Sequence, residues 1–151
     1  MIRVICVGKL KEAYWSDACK EYLKRLQKYT PLEIIEVMDE KIDDEKIALQ
    51  REKEKIQKYM NAKDYIITLE IEGKMFTSIE LSEKINKWRM ENGNITFIIG
   101  GSYGLHPEIK ERANEKISFS KLTFPHQLFR ILLLEQIYRS FKIQNNEKYH
   151  K

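Results

Sequence analysis

The chain has 151 residues, of which 42% are hydrophobic and 33% charged, with a formal net charge of +4. This length predicts one folded domain, 1–151, with one core, and no Ser-, Gly- or Pro-rich linker, low-complexity run or internal repeat divides it. No apolar run reaches the roughly 20 residues that cross a bilayer, and the first residues lack a signal-peptide pattern, so we expect a cytoplasmic protein without membrane contact.

Strand-like and helix-like segments alternate along the whole chain. Apolar, β-branched runs of strand length are expected to form strands at 2–7, 32–38, 65–71, 94–100 and 117–120. Helices are expected within 13–29, at about 43–60, after the capping-box sequence TSIE at 77–80, from Pro107, and at 125–143. Five strands that alternate with five helices predict an α/β fold with a parallel sheet covered by helices.

The last predicted helix is apolar on nearly all sides. Its apolar positions are Leu128, Phe129, Ile131, Leu132, Leu133, Leu134, Ile137, Tyr138 and Phe141. A helix of this kind must be buried almost completely. Either one chain covers it with its own sheet and helices, or its second face packs against another subunit. We favour a homodimer from this feature.

Three glycines follow the fourth predicted strand in FIIGGSYGLHPEI, residues 97–109. The carboxyl ends of parallel strands are the usual place for a ligand, so Gly100, Gly101 and Gly104 favour a ligand-binding loop. The dinucleotide pattern G-x-G-x-x-G is absent, and Leu and His follow Gly104 where a phosphate-binding P-loop needs Lys and Ser or Thr. The other interpretation is a tight turn into the helix at Pro107.

The two cysteines, Cys6 and Cys19, lie in a predicted strand and on the apolar face of a predicted helix. They have neither metal-ligand spacing nor a redox motif. We therefore expect buried structural thiols and no metal site.

Four segments together resemble a known family. They are IITLEIEGK, FIIGGSYGL, FSKLTFPHQLFRILLLEQIYR and the terminal NNEKYHK. In this order they are similar to the small RlmH-type ribosomal RNA methyltransferases of the SPOUT superfamily, and the likeness runs from VGKLKEAYW to His150. It implies an α/β domain with a C-terminal trefoil knot, a homodimer that packs knot against knot, and S-adenosylmethionine as the cofactor. General rules of chain topology would not have predicted the knot.

The resemblance also implies the cofactor contacts. Carried over residue by residue, they are Leu69, Gly100, Phe119, Ser120, Lys121, Leu122, Thr123 and Phe124. These positions lie at or just beyond the carboxyl ends of the third, fourth and fifth predicted strands, where one crevice can take contributions from all three. Without the resemblance, Leu69 and Phe124 would each be interpreted as core residues. A side chain at Gly100 is expected to block cofactor binding before it damages the fold.

The family methylates N3 of a pseudouridine, of the position 1915 type, in 23S rRNA of the assembled ribosome. The nitrogen must lose its proton, and the candidates for positioning it or removing the proton are Glu135, Arg139, Tyr149 and His150. Glu135 and Arg139 have the i,i+4 spacing of an ordinary helical ion pair, and the last residues of a chain are often frayed. Our hypothesis is that the tail closes over a cofactor pocket, of its own chain or of the partner subunit.

Several other features stay open at this stage. Tyr103 could stack on a base, His126 is interpreted as structural, and His106 could cap the short helix. Candidate phosphate contacts are the basic residues of 125–151, among them Arg130 and Lys142, and Lys20, Lys24, Arg25 and Lys28 on the first helix. A SPOUT methyltransferase acting on tRNA and a non-catalytic ribosome-binding protein are the alternative functions.

Overall fold

The structure, a computed structural model, describes residues Met1–Lys151 and contains five strands and five helices. The strands are β1 Ile2–Val7, β2 Leu32–Val37, β3 Tyr65–Met75, β4 Ile95–Ile99 and β5 Glu115–Ser118. The helices are α1 Ala13–Leu26, α2 Glu45–Gln57, α3 Ser78–Asn92, α4 Pro107–Arg112 and α5 His126–Gln144. The predicted type and order of all ten elements are confirmed.

All pairings in the sheet are parallel, and the strand order is β2-β1-β4-β3-β5. Side chains of β1 alternate between two cores, with Ile2, Val4 and Cys6 on one face and Ile5 and Val7 on the other. Helices α1, α3 and α5 supply the larger core, whereas α2 and α4 cover the opposite face. Because every strand is parallel, all carboxyl ends open toward one edge of the sheet.

The signals at the two ends of α3 are confirmed. Thr77 accepts a hydrogen bond from the backbone N–H of Glu80, and the Glu80 carboxylate accepts one from the backbone N–H of Thr77. Gly93 ends the helix with φ +76°, a conformation that a residue without a Cβ adopts at little cost. Local side-chain chemistry therefore fixes where α3 begins and ends.

The third strand extends further than the predicted 65–71. Its pairing with β5 shifts between Leu69 and Lys74, since both pair with Ile117. The intervening residues form a bulge, and a Cβ on Gly73 would lie 2.6 Å from the backbone carbon of Ile117. Leu69 therefore lies inside β3 and not at its end. It directly follows Thr68, which is the last β3 residue paired with β4. The bulge turns residues 70–72 toward the carboxyl edge of the sheet.

The fifth strand begins and ends two residues earlier than predicted, at Glu115–Ser118. Phe119 and Ser120, predicted as strand residues, instead belong to the loop that leads into α5. The charged sequence Glu115-Lys116 obscured the start of this edge strand, because a strand at a sheet edge tolerates charged side chains.

Helix α5 is covered mainly by its own chain. It packs against both α1 and α3, and every residue from 127 to 144 is buried or half-buried. Arg130 is also buried, and its guanidinium lies 2.7 Å from Glu36 Oε2 while donating to the carbonyl of Gly8. The apolar surface of α5 therefore does not by itself require a second subunit, and the homodimer stays a prediction.

Both cysteines are buried free thiols, as predicted. Burial raises the pKa of the Cys6 thiol to about 12. A thiol of this kind stays protonated at neutral pH, which fits a structural role.

Candidate active site

The glycine loop after β4 folds back on itself. Gly101 and Gly104 form an antiparallel bridge, and the N–H of Gly104 donates to the carbonyl of Gly101 at 3.0 Å. A Cβ on Gly100 would lie 2.5 Å from the carbonyl oxygen of Gly104. The space that Gly100 keeps free is therefore occupied by the backbone of its own loop. A side chain at Gly100 would disturb the loop itself, so the expectation that it blocks the cofactor before damaging the fold needs correction.

Two side chains hold this loop in place. The Tyr103 hydroxyl donates to the carbonyl of Ile42 at 3.0 Å, which ties the tip of the loop to the segment before α2. His106 Nδ1 accepts from the N–H of Glu108 at 3.0 Å and caps α4, as its position before Pro107 predicted. The loop is therefore anchored at its tip and at its end.

The loop between β5 and α5 forms the facing wall. Ser118 Oγ donates to the carbonyl of Ser120, and Ser120 Oγ accepts from the N–H of Leu122, both at 3.0 Å. The rings of Phe119 and Phe124 lie 5.2 and 6.2 Å from the ring of Phe129 on α5. Hydrogen bonds within the loop and an aromatic base beneath it fix this wall.

Between these two loops lies an open cavity of about 310 Å³. Seven of the eight residues that the family resemblance implied as cofactor contacts line it: Leu69, Gly100, Phe119, Ser120, Leu122, Thr123 and Phe124. The eighth, Lys121, is exposed and does not line the cavity. Residues that are far apart in the sequence thus meet where β3, β4 and β5 end.

Other cavity residues were missed or given structural roles in the sequence. His126 and Phe129 lie three residues apart on α5, so both project toward the cavity from one helix face. Glu70 comes from the β3 bulge, accepts from Thr68 Oγ1 at 2.6 Å and lies 3.5 Å from Lys110 Nζ. The bulge places Glu70 at the cavity. Its one sign in the sequence is the glycine that follows the strand-like residues in LEIEG.

The four candidate catalytic residues form one connected cluster on α5 and the tail. Arg139 Nε and Nη2 both donate to Glu135 Oε1, at 3.0 and 2.6 Å. The Tyr149 hydroxyl donates to the same oxygen at 3.1 Å, and Arg139 Nη1 lies 3.1 Å from His150 Nδ1. The tail therefore packs back along α5 instead of fraying, and the ordinary ion pair is present as part of a larger network.

Charge and burial in this cluster act on the ionisation of its members. Burial, with the neighbouring Glu135 carboxylate, raises the pKa of Tyr149 to about 12. The hydrogen bond to Glu135 raises the pKa of Arg139. A guanidinium has only donors, so His150 Nδ1 accepts from it and the imidazole proton is assigned to Nε2.

The cluster does not line the cavity between the two loops. From His126 to Arg139 the helix rises roughly 20 Å, at about 1.5 Å per residue. A second cavity of about 230 Å³ shares Ser118, Phe119 and Phe124 with the first. Gln136 lines this second cavity and donates to Glu135 Oε2 at 2.9 Å, so hydrogen bonds connect it to the cluster.

The candidate phosphate contacts differ in availability. Arg130 is 4% exposed, and Lys142 pairs with Glu147 at 2.9 Å, so neither is free to bind a phosphate. Arg25 and Lys28 of the first helical segment also pair with carboxylates, whereas Lys20 and Lys24 are exposed without an ion pair. Arg130 is therefore withdrawn as a candidate, because its role is to join α5 to β1 and β2.

No three His, Cys, Asp or Glu side chains are grouped so that they could hold a metal ion. None of the five helices combines the length and apolarity needed to cross a membrane.

Comparison with known proteins places the chain in a family. A family model described as "Predicted SPOUT methyltransferase" matches residues 1–150. The chain is 52% identical to a putative ribosomal RNA large subunit methyltransferase H from Methanococcus maripaludis, over 99% of both chains. It is 49% identical to the ribosomal RNA large subunit methyltransferase H of Clostridium acetobutylicum, again over 99% of both chains.

A solved structure, that of a probable methylase family protein from Haemophilus influenzae, superposes with a TM-score of 0.59 at 17% identity. It covers 99% of this chain and 70% of the other, and at this identity it supports the fold alone. The trefoil knot is a property of the family and stays a prediction for this chain. The sequence resemblance is confirmed by the family match: this chain belongs to the SPOUT methyltransferase family.

Proposed function

We propose that this protein transfers a methyl group from S-adenosylmethionine to N3 of a pseudouridine in large-subunit ribosomal RNA, acting as a homodimer on the assembled ribosome. The main observation that supports the proposal is that seven of the eight residues implied as cofactor contacts line one and the same cavity. The names of the relatives, ribosomal RNA large subunit methyltransferase H, support the RNA substrate.

The residues around the cavity fit S-adenosylmethionine. Leu69, Phe119 and Phe124 offer apolar walls to the adenine, and the backbone of the Gly100 loop can approach it closely. The Glu70 carboxylate, paired with Lys110 at 3.5 Å, offers acceptors to hydroxyl groups of the ligand. When bound, the sulfonium of S-adenosylmethionine supplies an activated methyl group that an in-line nucleophile can take.

The protein must position the base and stabilise the negative charge that N3 carries once its proton has passed to water. The raised pKa of Tyr149 keeps its hydroxyl protonated at neutral pH, so it acts as a hydrogen-bond donor and not as a base. With Nδ1 bound to Arg139, His150 presents an Nε2–H that can donate to a base carbonyl. Arg139, held by Glu135, supplies positive charge next to the developing anion.

A second subunit would complete this site. The cluster of Glu135, Arg139, Tyr149 and His150 lies away from the cavity of its own chain, so the tail must serve a partner's cavity or move. Apolar side chains are exposed near the cavity, with Leu122 70%, Ile71 51% and Met75 53% exposed. An apolar rim of this kind suits contact between subunits.

The direct test is methyl transfer from tritiated S-adenosylmethionine to intact ribosomes, free large subunits and bulk tRNA, followed by nucleoside analysis. We expect label in N3-methylpseudouridine of the ribosome. Label in tRNA with unlabelled ribosomes would overturn the substrate assignment. Calorimetry with S-adenosylmethionine separates an enzyme from a non-catalytic ribosome-binding protein, because the latter would bind no cofactor.

The role of the tail is tested by His150→Ala. We expect methyl transfer at saturating cofactor to fall about 100-fold, the usual scale for loss of a positioned polar group. Cofactor affinity, measured by calorimetry, should stay unchanged because the proposed contact of His150 is with the RNA base and not with the cofactor. A full methylation rate in this variant would remove His150 from the mechanism.

A further inference from the structure

The end of α5 has a defined turn that reverses the chain. The N–H of Asn146 donates to the carbonyl of Ile143, and the N–H of Glu147 donates to the carbonyl of Lys142. Asn146 itself has φ +53°, which lies in the left-handed region of backbone conformation. These are the two hydrogen bonds and the left-handed residue of a Schellman motif, in a helix that ends without glycine.

Directly after this turn, the Glu147 side chain bonds to the turn that follows α1 and to the last turn of α5. Its Oε1 accepts from the Tyr29 hydroxyl at 2.7 Å, and its Oε2 lies 2.9 Å from Lys142 Nζ and 3.7 Å from Lys28 Nζ. The hydrogen bond from Lys142 lowers the pKa of Glu147, so the carboxylate is charged at neutral pH. One acidic side chain thus joins the tail to the end of α1 and to the last turn of α5.

The residues that follow point back along α5. Tyr149 reaches Glu135, two helical turns before the end of α5, and its ring lies 5.0 Å from that of Tyr138. The Arg139 guanidinium lies 4.7 Å from the Tyr149 ring centre and contacts His150. Tyr149 and His150 can reach these partners only if the chain reverses at 145–147, and Glu147 is the side chain that ties this reversal to the body of the protein.

We infer that Glu147 is a positioning residue for methyl transfer: its bonds to Tyr29 and Lys142 present Tyr149 and His150 in the reactive arrangement. The inference rests on the proposed function, because it gives Glu147 a task only if the tail takes part in the reaction. Glu147 itself contacts neither cavity. Its effect is therefore expected on turnover and not on cofactor affinity.

The test is Glu147→Gln in the full-length protein, which removes the charge and keeps the size of the side chain. We expect kcat on ribosomes to fall about tenfold or more, since misplacement of a reacting group by about 1 Å can cost 100-fold. The dissociation constant for S-adenosylmethionine should change less than about twofold. Hydrogen exchange of the amides of 145–147, which donate to the last carbonyls of α5, should accelerate, while that of the sheet stays the same.

A matched control and a rescue separate positioning from general destabilisation. Glu91→Gln removes a comparable carboxylate from an exposed pair with Lys87 on α3 and should leave kcat unchanged. The single reversal Glu147→Lys should lower kcat, and the double change Lys142→Glu with Glu147→Lys should recover most of that loss by restoring the ion pair. Thermal unfolding of the same variants separates the two effects: positioning predicts a loss of kcat at temperatures where the variant is still fully folded, whereas a role in stability alone predicts full kcat there.

The outcomes distinguish this inference from the proposed function. A loss of kcat in Glu147→Gln with recovery in the double reversal supports it. Unchanged kcat in both Glu147→Gln and Tyr29→Phe, together with a low rate in His150→Ala, overturns the inference and leaves the proposed role of the tail intact. Full rates in His150→Ala and Tyr149→Phe would overturn the role of the tail and this inference together.

Discussion

The cofactor cavity and the cluster of Glu135, Arg139, Tyr149 and His150 are formed by different kinds of chemical group. Backbone and apolar rings form the cavity, where the carbonyl of Gly104 fills the space beside Gly100 and Phe119 and Phe124 pack on Phe129. The cluster consists of charges and hydrogen bonds around Glu135 and Arg139. The cavity should therefore be sensitive to added volume, whereas the cluster should be sensitive to altered charge and donor geometry.

The largest effect is expected from Gly100→Val. The new Cβ would lie 2.5 Å from the Gly104 carbonyl oxygen and 3.1 Å from Leu105 Cγ, so the loop must move. Insertion of this kind lowers the free energy of unfolding by about 1–3 kcal/mol or more. We expect a lower melting temperature together with loss of S-adenosylmethionine binding, measured by calorimetry and by thermal unfolding with and without cofactor.

Gly101→Ala is the matched control for this loop. Its Cβ would meet side-chain atoms, Val7 Cγ1 at 2.9 Å and Asp39 Oδ1 at 3.4 Å, and no backbone atom. Side chains can shift, so the loss of stability and affinity should be smaller than in Gly100→Val. Normal cofactor binding by a folded Gly100→Val protein would contradict the assignment of this loop to the cofactor.

The next largest effect concerns the cluster, with Arg139→Lys. Lysine keeps the positive charge but cannot bond Glu135 Oε1 through two nitrogens while a third reaches His150. We expect kcat on ribosomes to fall about 10- to 100-fold, the scale of a lost electrostatic contact to developing charge. Cofactor affinity and melting temperature should change little, the reverse of the pattern in Gly100→Val.

Lys63→Gln, just before β3 and at the edge of the sheet opposite the cavity, is the control for Arg139→Lys, because it removes an exposed positive charge with no ion pair. It should leave kcat unchanged at saturating ribosome concentration. If Arg139→Lys lowered cofactor affinity as much as kcat, the cluster would also contribute to cofactor binding. That result would contradict the separate roles of the cavity and the cluster.

The pH dependence of the tail follows from Glu147. Its pKa is lowered in the folded protein, first by the hydrogen bond from Lys142 and then by that from Tyr29. A lowered carboxyl pKa stabilises the tail contacts above the ordinary glutamate pKa of about 4.3, and this stabilisation is lost as the pH falls through the folded pKa. A carbon-detected titration of Glu147 should therefore give a midpoint below 4.3, and a midpoint above it would contradict the contacts.

Most of the fold could be predicted because local patterns determine it. The TSIE capping box, the glycine at the end of α3 and the proline at the start of α4 each act within a few residues. The errors are of a different kind. The bulge at 70–73 depends on the approach of Gly73 to the backbone of Ile117, a contact between distant parts of the chain, and the glycine in LEIEG is its one local sign.

The site shows the same division. The glycine loop and its place at a strand end were recognisable, and the family resemblance supplied the contact positions. The group that lies against Gly100 could not be predicted. In a sequence, a glycine that leaves room for a ligand looks the same as one that leaves room for backbone, and here the backbone of Gly104 occupies the space. Glu147 was also missed, because its partners Tyr29 and Lys142 become neighbours only after α1 and α5 have packed together.

The smallest effect is expected at Asn146, where the tail turns back. At φ +53° an alanine suffers the steric cost of the left-handed region, about 1 kcal/mol, whereas glycine does not. We expect Asn146→Ala to lower the free energy of unfolding by about that amount and to speed hydrogen exchange at 145–147, whose amides donate to the last carbonyls of α5. Asn146→Gly should match the parent protein in both measurements, because it keeps the turn that aligns Tyr149 with Glu135. Equal behaviour of the alanine and glycine variants would mean that the left-handed turn does not hold the tail, and that Glu147 and the cluster contacts alone do so.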